Sequence, residues 1–121
     1  MEPTLRLEIF PADLDVTVDF YERLGFEVVG RSAGPPRYAS LRLGDIRLGA
    51  AESDPVSREL RAVPAGAELV VEVDDVRTTR DTIVGAGIEL ADDLTLRPWG
   101  LTDLRLTDPD GYYWRFTDRR H

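Results

Sequence analysis

The stretch that most constrains the fold lies near the end of the chain, at residues 97–118. Residues 101–107 alternate apolar and polar side chains, and residues 112–117 do the same. Between them, Asp108-Pro109-Asp110-Gly111 favours a tight turn, because Pro fixes φ, Asp bonds to its own backbone and Gly accepts positive φ. The stretch therefore predicts an antiparallel hairpin whose Tyr112, Trp114 and Phe116 point into a core.

An earlier part of the chain carries the same pattern, offset by about sixty residues. Asp13 and Asp75 each precede a helical pattern, and Gly25 and Gly87 each follow one, as expected of helix starts and stops. Each half reads β-α-β-β-β. One helix covers only one face of a four-stranded sheet, so the other face must curl around a ligand or the other half. We therefore predict an α+β fold of two paired βαβββ modules, with curved mixed sheets around a cleft.

The predicted elements make up a single domain spanning residues 1–121. Module 1 covers about 1–53, a linker covers about 54–66 with one helical turn at 56–60, and module 2 covers about 67–121. Predicted strands lie at 5–10, 26–31, 38–43, 46–51 and 68–73, with another beginning at 88–90, and helices lie at 14–24 and 76–86. Residues 92–98 are expected to form a loop or a short strand before the C-terminal hairpin.

Composition excludes several kinds of chemistry. The chain has no Cys, so disulfides, thiolate zinc sites and Cys nucleophiles are excluded. All 15 basic residues are Arg, so no Lys can form a Schiff base. The net charge of −8 disfavours nucleic acid and anionic membranes and favours a neutral or cationic ligand. No apolar run is long enough for a bilayer and the N-terminus has no signal-peptide pattern, so we expect a cytoplasmic protein.

Three segments resemble the vicinal oxygen chelate superfamily, which includes glyoxalase I, extradiol dioxygenases, fosfomycin-resistance enzymes and bleomycin-resistance proteins. They are D-L-D-V-T-V-D-F-Y-E-R-L-G-F-E-V at residues 13–28, V-E-V-D-D-V at 71–76 and P-W-G-L-T-D-L-R-L-T-D-P-D-G-Y at 98–112. The resemblance covers nearly the whole chain. It implies the fold more strongly than a reaction, because this fold hosts both catalysts and pure binders.

The resemblance also implies where a metal would be held. Enzymes of the superfamily bind a divalent cation with side chains from four strands, typically His and Glu. The matching positions here are Arg6, a position near Gly49, Glu68 and Arg115. Guanidinium groups stay protonated and cannot be ligands, and a catalytic site needs about three protein ligands. The only His is His121, the last residue. We therefore expect no metal, no other cofactor and no metal-dependent activity.

The remaining resemblance is to the drug-binding branch, reinforced by R-L-G-D-I-R-L at residues 42–48. Bleomycin-resistance proteins are homodimers with two ligand crevices at the subunit interface, and they bind the drug without altering it. The resemblance thus implies a homodimer that sequesters an aromatic natural-product antibiotic of the bleomycin-like, quinone or enediyne class. Its small-molecule ligand would stack on aromatic side chains. The candidate ligand-binding residues are Phe10, Tyr38, Arg42, Trp99, Asp103, Tyr113 and Arg115.

Two other functions stay open. Glu8, Glu68 and Glu72 share the predicted cleft face and could include a base with a raised pKa, as in a metal-free isomerase or lyase. Glu8 and Glu68 could also hold a metal as displaced ligands in a dioxygenase-like enzyme. The simpler interpretation pairs these carboxylates with the arginines of the same face, and no residue is assigned a catalytic role. An accessory protein that carries or shields a biosynthetic intermediate is a third possibility.

Overall fold

The computed structural model describes residues 2–62 and 64–119, and the predicted α+β class is confirmed. The chain divides into two compact units, Met1–Val56 and Ser57–His121, so the division falls inside the predicted linker. The first unit contains β1 Leu7–Ile9, α1 Leu14–Leu24, β2 Glu27–Ser32, β3 Tyr38–Leu43 and β4 Ile46–Ala51. The second contains the 3₁₀ turn Arg58–Leu60, β5 Leu69–Val73, α2 Val76–Gly85, β6 Asp92–Leu96, β7 Thr102–Thr107 and β8 Tyr113–Asp118.

Both helices begin at the predicted Asp residues. The Asp13 carboxylate accepts a hydrogen bond from Val16 N, and the Asp75 carboxylate accepts from Arg77 N and Thr78 N. These bonds satisfy amide groups that have no partner within the first turn of a helix. Helix α1 ends at Gly25, whose φ of 113° favours a residue without a Cβ.

A second acidic residue anchors the start of each helix to its sheet. Glu52, directly after β4, accepts a hydrogen bond from Leu14 N at 2.9 Å. Asp118, at the end of β8, accepts one from Val76 N at the same distance of 2.9 Å. The two units therefore repeat the same tertiary contact. In each, an acidic residue at the end of the final strand in chain order holds the first turn of the helix.

The first sheet has the strand order β1-β4-β3-β2, with β1 parallel to β4 and the other pairs antiparallel. Leu41 pairs with Leu48 and Ala39 with Ala50. These side chains are buried, as are Leu14, Val18 and Tyr21 of α1. The apolar stripe of the helix thus packs on one face of the sheet, which leaves a second face, here called the far face, turned away from the helix.

The second sheet repeats this order as β5-β8-β7-β6, with β5 parallel to β8. The C-terminal hairpin is confirmed, and Leu104 pairs with Phe116 and Leu106 with Trp114. All four side chains are buried, and Val76 and Ile83 of α2 are buried as well. The hairpin is therefore the centre of the second core, and its alternate residues define the far face of this sheet.

The sequence-based boundaries were wrong at two places in the second unit. Residues 88–90 are not a strand. Of the loop or short strand expected at 92–98, the strand is present as β6 Asp92–Leu96, which pairs with β7. Tyr112 does not begin β8, because the Asp108 carboxylate accepts hydrogen bonds from Asp110 N and Tyr112 N and extends the turn. The Tyr112 ring is only half-buried, and the Arg61 guanidinium lies 4.3 Å from its centroid.

The helical turn predicted within residues 56–60 is present as Arg58–Leu60. The Arg58 guanidinium donates hydrogen bonds to the Asp108 carbonyl at 2.8 Å and to Thr107 Oγ1 at 3.0 Å. This side chain ties the start of the second unit to the turn of the hairpin. Among residues 2–62 and 64–119, no helix is long and apolar enough to cross a membrane.

Candidate functional site

The far face of the first sheet is built around three directly aligned positions. Glu8 of β1 pairs with Gly49 of β4, and Gly49 pairs with Ser40 of β3. The side chain of Tyr38, two residues before Ser40, reaches across β4 and donates a 2.8 Å hydrogen bond to Glu8 Oε1. Arg6 Nε lies 2.9 Å from the same oxygen. The face thus carries a three-residue polar cluster of Arg6, Glu8 and Tyr38.

Gly49 is what allows this cluster to form. A Cβ at this position would collide with both the Tyr38 hydroxyl and the Glu8 carboxylate. The position that the superfamily uses near here for a metal-binding side chain is therefore filled by two side chains from neighbouring strands. Glu8 Oε2 is buried and has no hydrogen-bond partner within the described part of the chain.

The environment of Tyr38 changes its acidity. Burial raises the pKa of the Tyr38 hydroxyl, and the hydrogen bond to Glu8 and the negative charge of Glu8 raise that pKa further. The hydroxyl is therefore protonated at neutral pH and acts as a donor toward Glu8. Arg42 follows on the same face, half of its side chain is exposed, and its NH2 group lies 3.6 Å from Glu27. Phe10 comes directly after β1 and is 48% exposed.

The far face of the second sheet carries a denser charge cluster. Arg105 of β7 pairs directly with Arg115 of β8, and Asp103 lies two residues before Arg105. Asp103 is fully buried. Its Oδ1 accepts a 2.9 Å hydrogen bond from Arg97 Nε, and its Oδ2 lies 3.5 Å from Arg105 and 3.9 Å from Arg115. We call Arg97, Asp103, Arg105 and Arg115 the arginine face.

The cluster places like charges opposite each other on adjacent strands, an arrangement that is destabilising unless an anion lies between them. Asp103 supplies that anion. Asp92 pairs with Arg97, and Glu68 Oε1 lies 3.2 Å from Arg115 Nε. Burial by itself lowers the pKa of Arg105, but the Tyr113 hydroxyl and the Asp103 carboxylate outweigh it and raise that pKa overall. The guanidinium groups therefore remain charged throughout the physiological range.

Trp99 lies in the turn that joins β6 to β7. The turn is closed by a 2.9 Å hydrogen bond from Gly100 N to the Arg97 carbonyl, with Pro98 at its second position. The Trp99 side chain is 47% exposed. Its ring centroid lies 5.7 Å from the Arg115 guanidinium carbon, within the range of a cation–π contact.

The candidate residues thus fall into two groups. Trp99, Asp103, Tyr113 and Arg115 lie together on or beside the second sheet, whereas Phe10, Tyr38 and Arg42 belong to the first. Sequence reasoning missed Arg97, which forms the shortest bond to Asp103. Recognising a hairpin turn at residues 98–100 would have predicted the contact between Arg97 and Asp103. Such a turn brings residue 97 back beside the strand that contains Asp103.

The residues present do not fit a divalent cation. Of the four positions implied by the superfamily, two are guanidinium groups and one is glycine, and Glu68 lies against Arg115. The next far-face residue of β4 is Arg47, which also cannot be a ligand. Residues 2–62 and 64–119 contain no group of three or more acidic, His or Cys side chains able to hold a metal. His121 lies outside the described residues.

The fold is that of a known class. The family model of the Glyoxalase/Bleomycin resistance protein/Dioxygenase superfamily matches residues 5–116. The chain therefore belongs to this superfamily, as the sequence resemblance implied. No curated protein matches the chain.

Several solved structures share the whole fold. A bleomycin resistance determinant encoded on the transposon Tn5 is 25% identical with a TM-score of 0.80, covering 99% of this chain and 100% of that one. A bleomycin-binding protein complexed with bleomycin is 25% identical with a TM-score of 0.78, covering 98% and 100%. TioX from Micromonospora sp. ML1 is 25% identical with a TM-score of 0.77, covering 98% and 100%.

Proposed function

We propose that this protein binds an aromatic natural-product antibiotic and sequesters it without chemical change, and so confers resistance. The observation that carries the proposal is Trp99, a large flat side chain left 47% exposed at a turn beside Arg115. Exposed aromatic rings beside fixed polar groups are typical of ligand-binding surfaces. The similarity to a bleomycin resistance determinant and to a bleomycin-binding protein supports the same function.

The chemistry of the far faces also supports binding over catalysis. Glu68 is paired with Arg115, and Asp103 is enclosed by three guanidinium groups. These carboxylates are engaged by guanidinium groups instead of being held free toward a substrate, as a catalytic base must be. These residues can orient a ligand by hydrogen bonding and stacking, with no nucleophile among them.

We further propose that modules 1–53 and 67–121 act as one domain, that two copies form a homodimer, and that the ligand crevices lie at the subunit interface. We propose Phe10, Tyr38 and Arg42 in the first unit, and Trp99, Tyr113 and Arg115 in the second, as the residues that contact ligand. Asp103 is fully buried and supports binding by holding the arginines around it. Binding requires no metal or other cofactor, and the protein acts in the cytoplasm. Size-exclusion chromatography with light scattering tests the dimer directly, and a monomer at micromolar concentration would contradict it.

Sequestration is tested by titrating bleomycin-like, quinone and enediyne antibiotics against the fluorescence of Trp99. A Trp99→Phe variant is the matched control, because Trp114, the other Trp, is buried in the core and should report little. The bound drug is then released by denaturation and its mass is measured. Recovery of unchanged drug in proportion to protein supports the proposal, whereas a chemically altered drug contradicts it.

An enzyme is the second candidate, and one observation favours it. Glu8 Oε2 is buried without a hydrogen-bond partner among the described residues, and the neighbouring Tyr38 has a raised pKa. Such a pair could remove and return a proton in a metal-free isomerase or lyase. Loss of drug turnover in Glu8→Gln, with binding retained, would establish this alternative. A stoichiometric divalent ion in the purified protein would instead favour the metal enzyme with displaced ligands.

A further inference from the structure

The arginine face holds two guanidinium groups that share one oxygen of a buried carboxylate. Arg105 and Arg115 lie opposite each other on β7 and β8, and both depend on Asp103 Oδ2, at 3.5 Å and 3.9 Å. The stronger bond of Asp103 goes through its other oxygen to Arg97. One carboxylate is therefore divided among three cations, and Arg97 has the largest share.

The hydrogen-bonding capacity of these two arginines is also incompletely used. The Nε atoms of Arg105 and Arg115 are buried and donate no hydrogen bond within the described residues. Glu68 lies within ion-pair distance of Arg115 Nε but outside the angular range of a hydrogen bond. Asp103 Oδ2 likewise accepts none. Buried charged groups without hydrogen bonds are costly. The Nε atoms cannot reach a ligand, but the two side chains remain 21% and 20% exposed, so an oxygen anion at this surface would add negative charge beside both guanidinium groups.

Two aromatic side chains adjoin the same guanidinium groups. Trp99 lies over Arg115, and the Tyr113 hydroxyl interacts with Arg105. A flat ring that stacks on Trp99 would carry its substituents toward Arg115. The surface thus combines a stacking platform with forked N–H donors that suit an oxygen anion.

We infer that the arginine face binds an anionic oxygen, a carboxylate or an ionised phenol, attached to an aromatic ring that stacks on Trp99. The inference rests on the proposed function and specifies its ligand class as an acidic aromatic compound. Arg105 and Arg115 contact the anion. Asp103 is a positioning residue, because it is fully buried and holds the guanidinium groups in place without reaching the ligand.

This ligand class differs from the cationic or neutral ligand that the net charge of −8 favours. Net charge acts over distances at which salt screens it, roughly 8 Å at physiological ionic strength. Direct contacts with fixed guanidinium groups act at shorter range and are screened much less. A cationic ligand at this face would meet two like charges without a free carboxylate to offset them.

Three small probes with the same ring system test the inference at neutral pH. They are 2-naphthoate, which is anionic, 2-naphthamide, which is neutral and nearly the same shape, and 2-naphthylmethylammonium, which is cationic. Binding is measured by the change in Trp99 fluorescence, with Trp99→Phe to identify the signal. We expect naphthoate to bind about tenfold or more tightly than naphthamide, as for a charge-assisted hydrogen bond, and the ratio to fall as salt is added.

Variants of Arg115 identify the source of this preference. Arg115→Met should bring the naphthoate-to-naphthamide ratio close to one, and Arg115→Lys should retain part of it, because a point charge remains without the fork. Arg23→Met, at an exposed position on α1, is the control and should keep the wild-type ratio. Thermal unfolding of each variant verifies folding. If Arg115→Met does not fold, the Arg115→Lys ratio and the salt dependence decide.

The outcomes separate this inference from the proposed function. Equal binding of the three probes, or a preference for the ammonium compound, would overturn the anion site while leaving aromatic binding at Trp99 intact. A wild-type preference for naphthoate that Arg115→Met or Arg115→Lys does not reduce would overturn it as well. If no probe and no antibiotic changes Trp99 fluorescence, both proposals fail.

Discussion

The Tyr38 hydroxyl donates its hydrogen bond to Glu8 across an intervening strand, directly above Gly49. Strand β4 lies between β1 and β3, so the two side chains can meet only where β4 presents no side chain of its own. Gly49 is the residue at that point. The polar cluster of the first unit therefore depends on the absence of a single methyl group.

Replacing Gly49 with Ala should break this contact. The new Cβ would collide with the Tyr38 hydroxyl and the Glu8 carboxylate, and overpacking of this kind costs about 1–3 kcal/mol of unfolding free energy. Urea denaturation measures the change. Gly85→Ala is the control, because that Cβ would meet nothing within 4 Å and Ala should stabilise the last turn of α2 slightly. Equal stability of Gly49→Ala and wild type would contradict the described geometry.

Tyr38 should make folding stability depend on pH in the alkaline range. Its folded pKa is raised above the ordinary value of 10.0, first by burial and then by Glu8. Above pH 10 the folded state therefore retains a proton that the unfolded state has lost. The stability contributed by Tyr38 is present below that pH and is lost as the pH rises through the folded pKa.

Ultraviolet absorbance of the phenolate form measures this titration, and the difference between wild type and Tyr38→Phe isolates Tyr38 from the other tyrosines. We expect the subtracted curve to have its midpoint above that of a free tyrosine. Tyr38→Phe should also lose less stability than wild type over the same alkaline range. A subtracted midpoint at or below the ordinary value would show that the hydroxyl is not held against Glu8.

Asp103→Asn should be among the most destabilising conservative changes in the chain. The substitution keeps the shape of a fully buried side chain but leaves three guanidinium groups without their shared anion. Removing one partner of a buried ion pair costs about 3–5 kcal/mol. Asp19→Asn removes an exposed partner of Arg23 and should cost no more than about 0.5 kcal/mol. Similar denaturation midpoints for the two variants would contradict a structural role for Asp103.

Arg58→Met should loosen the start of the second unit. The variant loses the hydrogen bonds to the Asp108 carbonyl and Thr107 Oγ1, and lost hydrogen bonds from a charged donor cost about 1.5–3 kcal/mol. Hydrogen exchange should show faster exchange of the amides at Arg61 and Ala62, which donate to the Arg58 carbonyl. Arg23→Met is the matched control, and unchanged exchange at both amides would disprove the anchoring role.

Local sequence signals predicted most of the fold. The turn residues at 108–111, the Asp caps and the glycine stops each act within a few neighbouring residues, so they could be recognised without knowledge of the rest of the chain. They failed at residues 88–90, where the alternation of Ile88, Glu89 and Leu90 favoured a strand. Strand β6 begins four residues after Ile88, where Asp92 pairs with Arg105 and Thr95 with Asp103 of β7.

The candidate site was predicted only in part. Alternation along β7 and β8 correctly grouped Asp103, Tyr113 and Arg115 on one face, but it gave no sign that Asp103 is fully buried. The structure instead encloses that carboxylate between guanidinium groups from three places in the chain. The contact of Tyr38 with Glu8 could not be predicted either, since it depends on which strand lies between β1 and β3.

The sequence by itself determined the two-fold repeat, the helix ends and the hairpin, because these follow from short-range backbone preferences and from the periodicity of apolar residues. Only the tertiary structure decided which charges neutralise one another. Strand order and register bring together residues that are far apart in the chain, and the strength of a charge interaction depends on distances of a few ångströms and on burial. The polar cluster above Gly49 and the arginine face around Asp103 are both products of that arrangement.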